Sequence, residues 1–228
     1  MKLKTYLSLL VLPICALSMV AADAQPTAEE ASKGLKAAMG SLVDQSLATV
    51  SDPKALEGFA INLPDKLKKL ESTLRTSGQG QLVDDFKAKL KNAAVQVLPL
   101  SKDAFKSETN AVTADDPMAV LKAAPDGVTN FTKQKTRPPI LTKVQPLINA
   151  KFKENGVGAA YQAMVAKAGP MAAAMFGKEP PANLEQNVTE QTVDFVYGQM
   201  AKGEGALRAN PAMSKDGLVK KVFSMVKK

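Results

Sequence analysis

The sequence predicts an all-α fold: a compact multi-helix domain of about eight to ten short-to-medium helices, with no sheet. Three observations predict it. Apolar residues recur at three- and four-residue spacing almost continuously from Thr27 onward. The interruptions fall at Gly and Pro, the residues that start and stop helices. The single alternating run, residues 192–197, has no second run to pair with, and in a wider window Val188, Thr192, Val193, Val196, Tyr197 and Met200 fit a helix.

The first 24 residues read as a secretory signal peptide. Lys2 and Lys4 supply a positive start, residues 7–20 are apolar but too few to span a bilayer, and Ala22-Asp23-Ala24 places small residues before a cleavage point between Ala24 and Gln25. Residues 25–228 then form a single all-helical domain. Thr27 with Glu30 makes a capping box for a helix over residues 28–50, with Leu35, Met39, Leu42, Val43 and Leu47 on one face. Pro64 opens a second helix, striped by Leu67, Leu70 and Leu74, that Gly78 stops. Leu82, Val83, Phe86, Leu90, Ala94 and Val97 define a third that ends near Pro99. Thr113 with Asp116 repeats the capping pattern before a short helix at Pro117.

Pro138-Pro139 should break the chain, hinging two halves near residues 137–139 before a stripe from Ile140 to Phe152 resumes. Two further apolar stretches, residues 157–168 and 170–176, precede a Glu179-Pro180-Pro181 linker, and Leu218, Val219, Val222, Phe223 and Val226 form a terminal stripe. The pairs Gly78/Gly80, Gly156/Gly158 and Gly203/Gly205 read as helix breaks, because none has the third glycine or the preceding strand of a phosphate loop.

Composition excludes more than the motifs offer. The sole cysteine, Cys15, lies in the leader, and the chain has no His or Trp. Ser-His-Asp and Cys-His catalysis, ordinary zinc sites and thiol redox are therefore excluded for the exported domain. No cofactor, metal site or catalytic residue is expected. A net charge of +8, lowered by one when Lys2, Lys4 and Asp23 leave, fits weak attraction to an anionic surface. Basic residues are not interleaved with aromatics, so nucleic acid is not an expected partner, and after the leader no transmembrane span is expected.

Several motifs, in order, resemble a known family. They are Gly34-Leu35-Lys36, Ile61-Asn62-Leu63-Pro64, Leu74-Arg75 with Gly78-Gln79-Gly80, and Leu82-Val83-Asp84-Asp85-Phe86 with Asn92-Ala93-Ala94. Val188-Thr189-Glu190, Leu207-Arg208-Ala209-Asn210-Pro211 and residues 218–223 follow. The chain is similar to the bacterial domain-of-unknown-function family 4197. The resemblance implies a secreted all-helical domain of Gram-negative bacteria and implies no activity. Asn187 stands where the family pattern has tyrosine, and Gly203-Glu204-Gly205 replaces a more helical acidic stretch, which weakens the expected helix near residue 200.

Where the motifs and the polar residues overlap, the candidates for a binding or structural cluster are Arg75, Asp84, Asp85, Asn92, Thr189, Asp194 and Arg208. The leading expectation is a non-catalytic periplasmic, otherwise extracellular, protein that binds an envelope component, either a lipid-like apolar ligand or a protein partner. The alternative is a carboxylate-dependent hydrolase or lyase acting on envelope polysaccharide, for which Asp84-Asp85 and Asp115-Asp116 are the conspicuous acids.

Overall fold

The computed structural model describes residues 26–123 and 125–226; the expected cleavage point at Ala24 and Gln25, with the last two lysines, lies outside them. The described residues contain eleven α-helices and no strand: α1 (Ala28–Thr49), α2 (Pro53–Leu56), α3 (Asp65–Thr76), α4 (Gly80–Val97), α5 (Lys102–Ala111), α6 (Pro117–Lys122), α7 (Gly127–Glu154), α8 (Val157–Lys167), α9 (Pro170–Phe176), α10 (Leu184–Ala209) and α11 (Gly217–Val226). Short 3₁₀ turns lie at Pro99–Ser101 and Pro211–Met213. None of the described helices is long and apolar enough to cross a membrane.

The long helices α7 and α10 pack together as the central pair. Against α7 lie α4 and α5; α1 covers α10 and also meets α5, α6 and α11; α8 sits on α4, with α3 and α9 outside. The Thr27–Glu30 capping box forms as read, with both reciprocal hydrogen bonds present. At α6 the cap is Asp116 alone, which accepts the Ala119 N–H at 2.9 Å. Thr113 takes no part, because the helix begins only at Pro117.

The chain break expected at Pro138-Pro139 near residues 137–139 does not occur: α7 runs unbroken through Pro138, Pro139 and Pro146. Each proline removes one N–H and its ring presses on the carbonyl four residues back, which together cost a helix interior about 3 kcal/mol. Here the carbonyls left without donors belong to Gln134, Lys135 and Thr142, all exposed residues that water can satisfy. On the opposite side Val128, Thr132, Thr136, Ile140, Val144, Ile148 and Phe152 form a buried row at four-residue intervals. Burying its five apolar members contributes about 2 kcal/mol each, enough to keep the helix continuous through the prolines. The buried threonines bond to their own backbone, Thr132 to Val128 O (2.7 Å) and Thr136 to Thr132 O (2.8 Å), which keeps a half-polar row dry.

Gly203 and Gly205 also lie inside a helix, α10, instead of breaking it; Gly78 and Gly156 do mark breaks, with φ of +76° and +65°. Elsewhere the residues carrying the family resemblance serve the architecture. A Cβ at Gly34 would fall inside the Val222 side chain, so glycine there lets α11 close on α1. Asn62 exchanges two hydrogen bonds with the Gln191 side chain, at 2.8 and 2.9 Å, pinning the loop before α3 to α10. Asn187 orients that glutamine, its Oδ1 accepting from Gln191 Nε2 at 2.7 Å.

Candidate functional site

The seven polar candidates do not converge; no hydrogen bond or ion pair among the described residues joins the groups they form. Arg75 closes the α3–α4 corner, donating to Asp84 at 2.6 Å and to Glu71 at 3.0 Å. That guanidinium holds the Asp84 carboxyl below its ordinary pKa, and Asp84 in turn raises Arg75. Asp85 accepts only from Gln81, one turn away, and Asn92 is exposed with no side-chain hydrogen bond among the described residues. Thr189 is buried and bonds back to Glu185 O at 2.7 Å.

Asp194 joins α10 to α7. It accepts both Arg137 donors, at 2.9 and 3.0 Å, and Lys133 at 3.0 Å. Burial, the largest influence, pushes its carboxyl up, but the bonds and charges of Arg137 and Lys133 outweigh it and the pKa lies below the ordinary value. One turn on, the Tyr197 hydroxyl meets Thr136 at 2.7 Å, and burial pushes that phenol up to about 12.

Arg208 lies about 21 Å along α10 from Asp194 and works inside the protein. It donates to Leu121 O (2.9 Å) and Ala123 O (2.8 Å), capping the C-terminal end of α6, and it packs over the Phe223 ring. Its partner is a residue sequence reading passed over. Glu204 is fully buried and accepts Arg208 Nε (2.9 Å), the Val128 N–H (3.0 Å) and the Thr129 N–H (2.7 Å), so a side chain from α10 caps the start of α7. The signal was present in the sequence: Glu204 stands in the register of the apolar row Val193, Val196, Met200, Leu207.

A surface depression lies on the α1 side of α10, lined there by Gly203, Ala206 and Leu207. An open groove of about 700 Å³ runs between α1 and α10, floored by Ala37, Gly40, Ser41, Gly203 and Ala206 and closed at one end by Met213, Lys215 and Asp216. Across α1, recesses of about 90 and 280 Å³ lie against α5, the first at Lys106, Thr109 and Asn110, the second at Pro99 and Lys102. Asp44 lines all three, and Gly40 lines the groove and the nearer recess, so the ridge of α1 dips at Gly40. A Cβ there would meet nothing within 4 Å. The protein's own packing therefore makes no use of this glycine, which weakens the middle of α1 by about 0.5–1 kcal/mol relative to alanine.

Most charges of this furrow are engaged. Asp44 pairs with Lys106 at 2.7 Å, and Asp216 accepts the Leu218 and Val219 N–H groups at the start of α11. Lys215 and Lys102, at its two ends, have no ion-pair partner among the described residues. Large apolar side chains stand out beside them: Met213 is 62% exposed, and Leu100, between Pro99 and Lys102, is 52% exposed. At Thr109 a buried Oγ1 has no hydrogen-bond partner among the described residues. Among the described residues no group of three or more His, Cys, Asp or Glu is placed to hold a metal ion. Such a surface can recognise a ligand through shape and hydrogen bonds.

A family model described as protein of unknown function, DUF4197, matches residues 25–224. The chain belongs to the DUF4197 family. Neither a curated protein nor a solved structure matches it. In this DUF4197 chain the motif residues Gly34, Asn62, Arg75 and Arg208 hold helices together. The furrow lies apart from most of them and is assembled from α1, α5, α10 and the turn before α11.

Proposed function

We propose that this DUF4197 protein is an exported, non-catalytic binding protein of the bacterial envelope that holds a segment of a partner protein in the furrow along α1. The observation that carries the reading is the furrow itself: a groove with a small-residue floor, an unused glycine at its lowest point and exposed Met213 and Leu100 at its ends. A protein partner is favoured over a lipid-like ligand because the furrow is open and carries Ser41, Asp44, Gln45 and Lys215, whereas an acyl chain needs an enclosed apolar cavity. The hydrolase alternative needs a carboxyl held protonated as an acid. Asp84 is instead held ionised by Arg75, and Asp116 is engaged as a cap. Export rests on the leader, and the family match beginning at residue 25 agrees with cleavage after Ala24. The excess positive charge suits weak retention at an anionic envelope surface.

Native mass spectrometry with lipid extraction, on protein purified gently from the envelope of its own host, tests the reading. The expected mass is that of a chain starting at Gln25 with no small molecule attached. A reproducible lipid adduct would overturn the choice of a protein partner, and a mass retaining the leader would overturn export with cleavage.

A further inference from the structure

Resting on the furrow being a partner site, we infer that its occupant is an extended, acidic segment of the partner, crossing α1 at Gly40. Shape sets the conformation. The groove on the α10 side and the recesses on the α5 side share Gly40 or Asp44 as lining residues, so one occupant of both sides must cross the face of α1, and an extended segment, whose successive side chains point in opposite directions, can serve the two sides at once. From Ala37 to Ser51 the furrow is about 21 Å long at 1.5 Å per residue, which some six or seven extended residues cover at about 3.3 Å each.

Charge sets the composition. The furrow's acids are committed, Asp44 to Lys106 and Asp216 to the α11 backbone, so the charges left to meet a ligand are Lys215 at one end and Lys102 at the other. Carboxylates near both ends of the segment would neutralise them, and apolar side chains beside those carboxylates would cover Met213 and Leu100. Asn110, exposed and lining the 90 Å³ recess beside Thr109, offers its side-chain amide as a hydrogen-bonding anchor at mid-path.

The test is selection from an unbiased display library of peptides of about twelve residues against the purified protein, with winners measured by fluorescence anisotropy. The expected winners are rich in Asp and Glu. Their affinity falls at least about tenfold on Gly40→Met, which fills the crossing with a better helix former than glycine, and severalfold on Lys102→Glu with Lys215→Glu. Lys66→Glu on α3 leaves it unchanged. Circular dichroism and a thermal melt confirm that Gly40→Met is folded. Winners that are neutral or basic yet sensitive to Gly40→Met would overturn the acidic segment and leave the furrow reading standing. Acidic winners indifferent to Gly40→Met, or no winners, would overturn both.

Discussion

Replacing Glu204 with alanine should destabilise the protein by about 3–5 kcal/mol, more than any other exchange of a single charged residue. The carboxylate is fully buried and accepts from Val128 N–H, Thr129 N–H and Arg208. Its loss strands two backbone donors of residues that are 0% and 2% exposed, each costing about 1–3 kcal/mol. It also leaves the Arg208 guanidinium, only 15% exposed, without its counter-charge, and breaking a buried pair from one side costs about 3–5 kcal/mol. These figures describe overlapping losses, so the larger range is the estimate. Against a typical total stability of about 5–15 kcal/mol it is a severe loss. Urea denaturation gives the magnitude, and amide hydrogen exchange gives the place: Val128 and Thr129 should lose protection before the rest of α7. Because Glu204 and Arg208 share one network, Glu204→Ala with Arg208→Ala should cost less than the two separately. A Glu204→Ala cost below about 1 kcal/mol, with both amides still protected, would refute the idea that this carboxylate caps α7.

Two glycines six positions apart in α1 should respond with opposite sign. Gly34→Ala drives a Cβ into Val222 and should lower the melting temperature, at about 1–3 kcal/mol. Gly40→Ala meets open space and should raise it, by about 0.5–1 kcal/mol. The Asp194 carboxyl is held below its unfolded value of about 3.9, so its contribution is complete above about pH 4 and disappears as pH falls through the folded value. Asp194→Asn should therefore lower the urea midpoint at pH 7 and flatten its dependence below pH 4; an unchanged acid limb would contradict the pairing with Arg137. Tyr197 is displaced the other way, from about 10 unfolded to about 12 folded. Its stabilisation is present below about pH 10 and lost as pH rises toward 12. Tyr197→Phe should make the alkaline loss of stability less steep, and an equally steep loss would show that another group governs it.

The helices were legible where local chemistry and periodicity agree. The Thr27–Glu30 box, the Pro64 start and the Gly78 stop stand where the sequence places them because each acts through neighbours in the chain. What stayed hidden depends on distant partners. The Pro138-Pro139 pair reads as a break until one sees that the carbonyls it deprives belong to exposed residues and that the opposite face of the helix is buried. The first half of α7 escaped because Thr129, Thr132 and Thr136 occupy core positions that pattern reading reserves for apolar residues. Helix α5, with only Phe105 and Thr109 buried, has too short a stripe to register. The polar candidates were the right residue types for ion pairs, yet sequence could not sort them into separate junctions. The furrow left no single motif, since Gly40, Thr109, Gly203 and Met213 come from four parts of the chain.

The most direct test of the furrow as a partner site is photo-crosslinking in living cells, with a photoreactive amino acid at Ser41 on its floor and, as control, at Ser72 on the exposed side of α3. The account predicts a discrete protein adduct from Ser41, identified by mass spectrometry, that disappears when Gly40→Met is added and is not formed from Ser72. Adducts equal at both positions, or a Ser41 adduct that survives Gly40→Met, would contradict it.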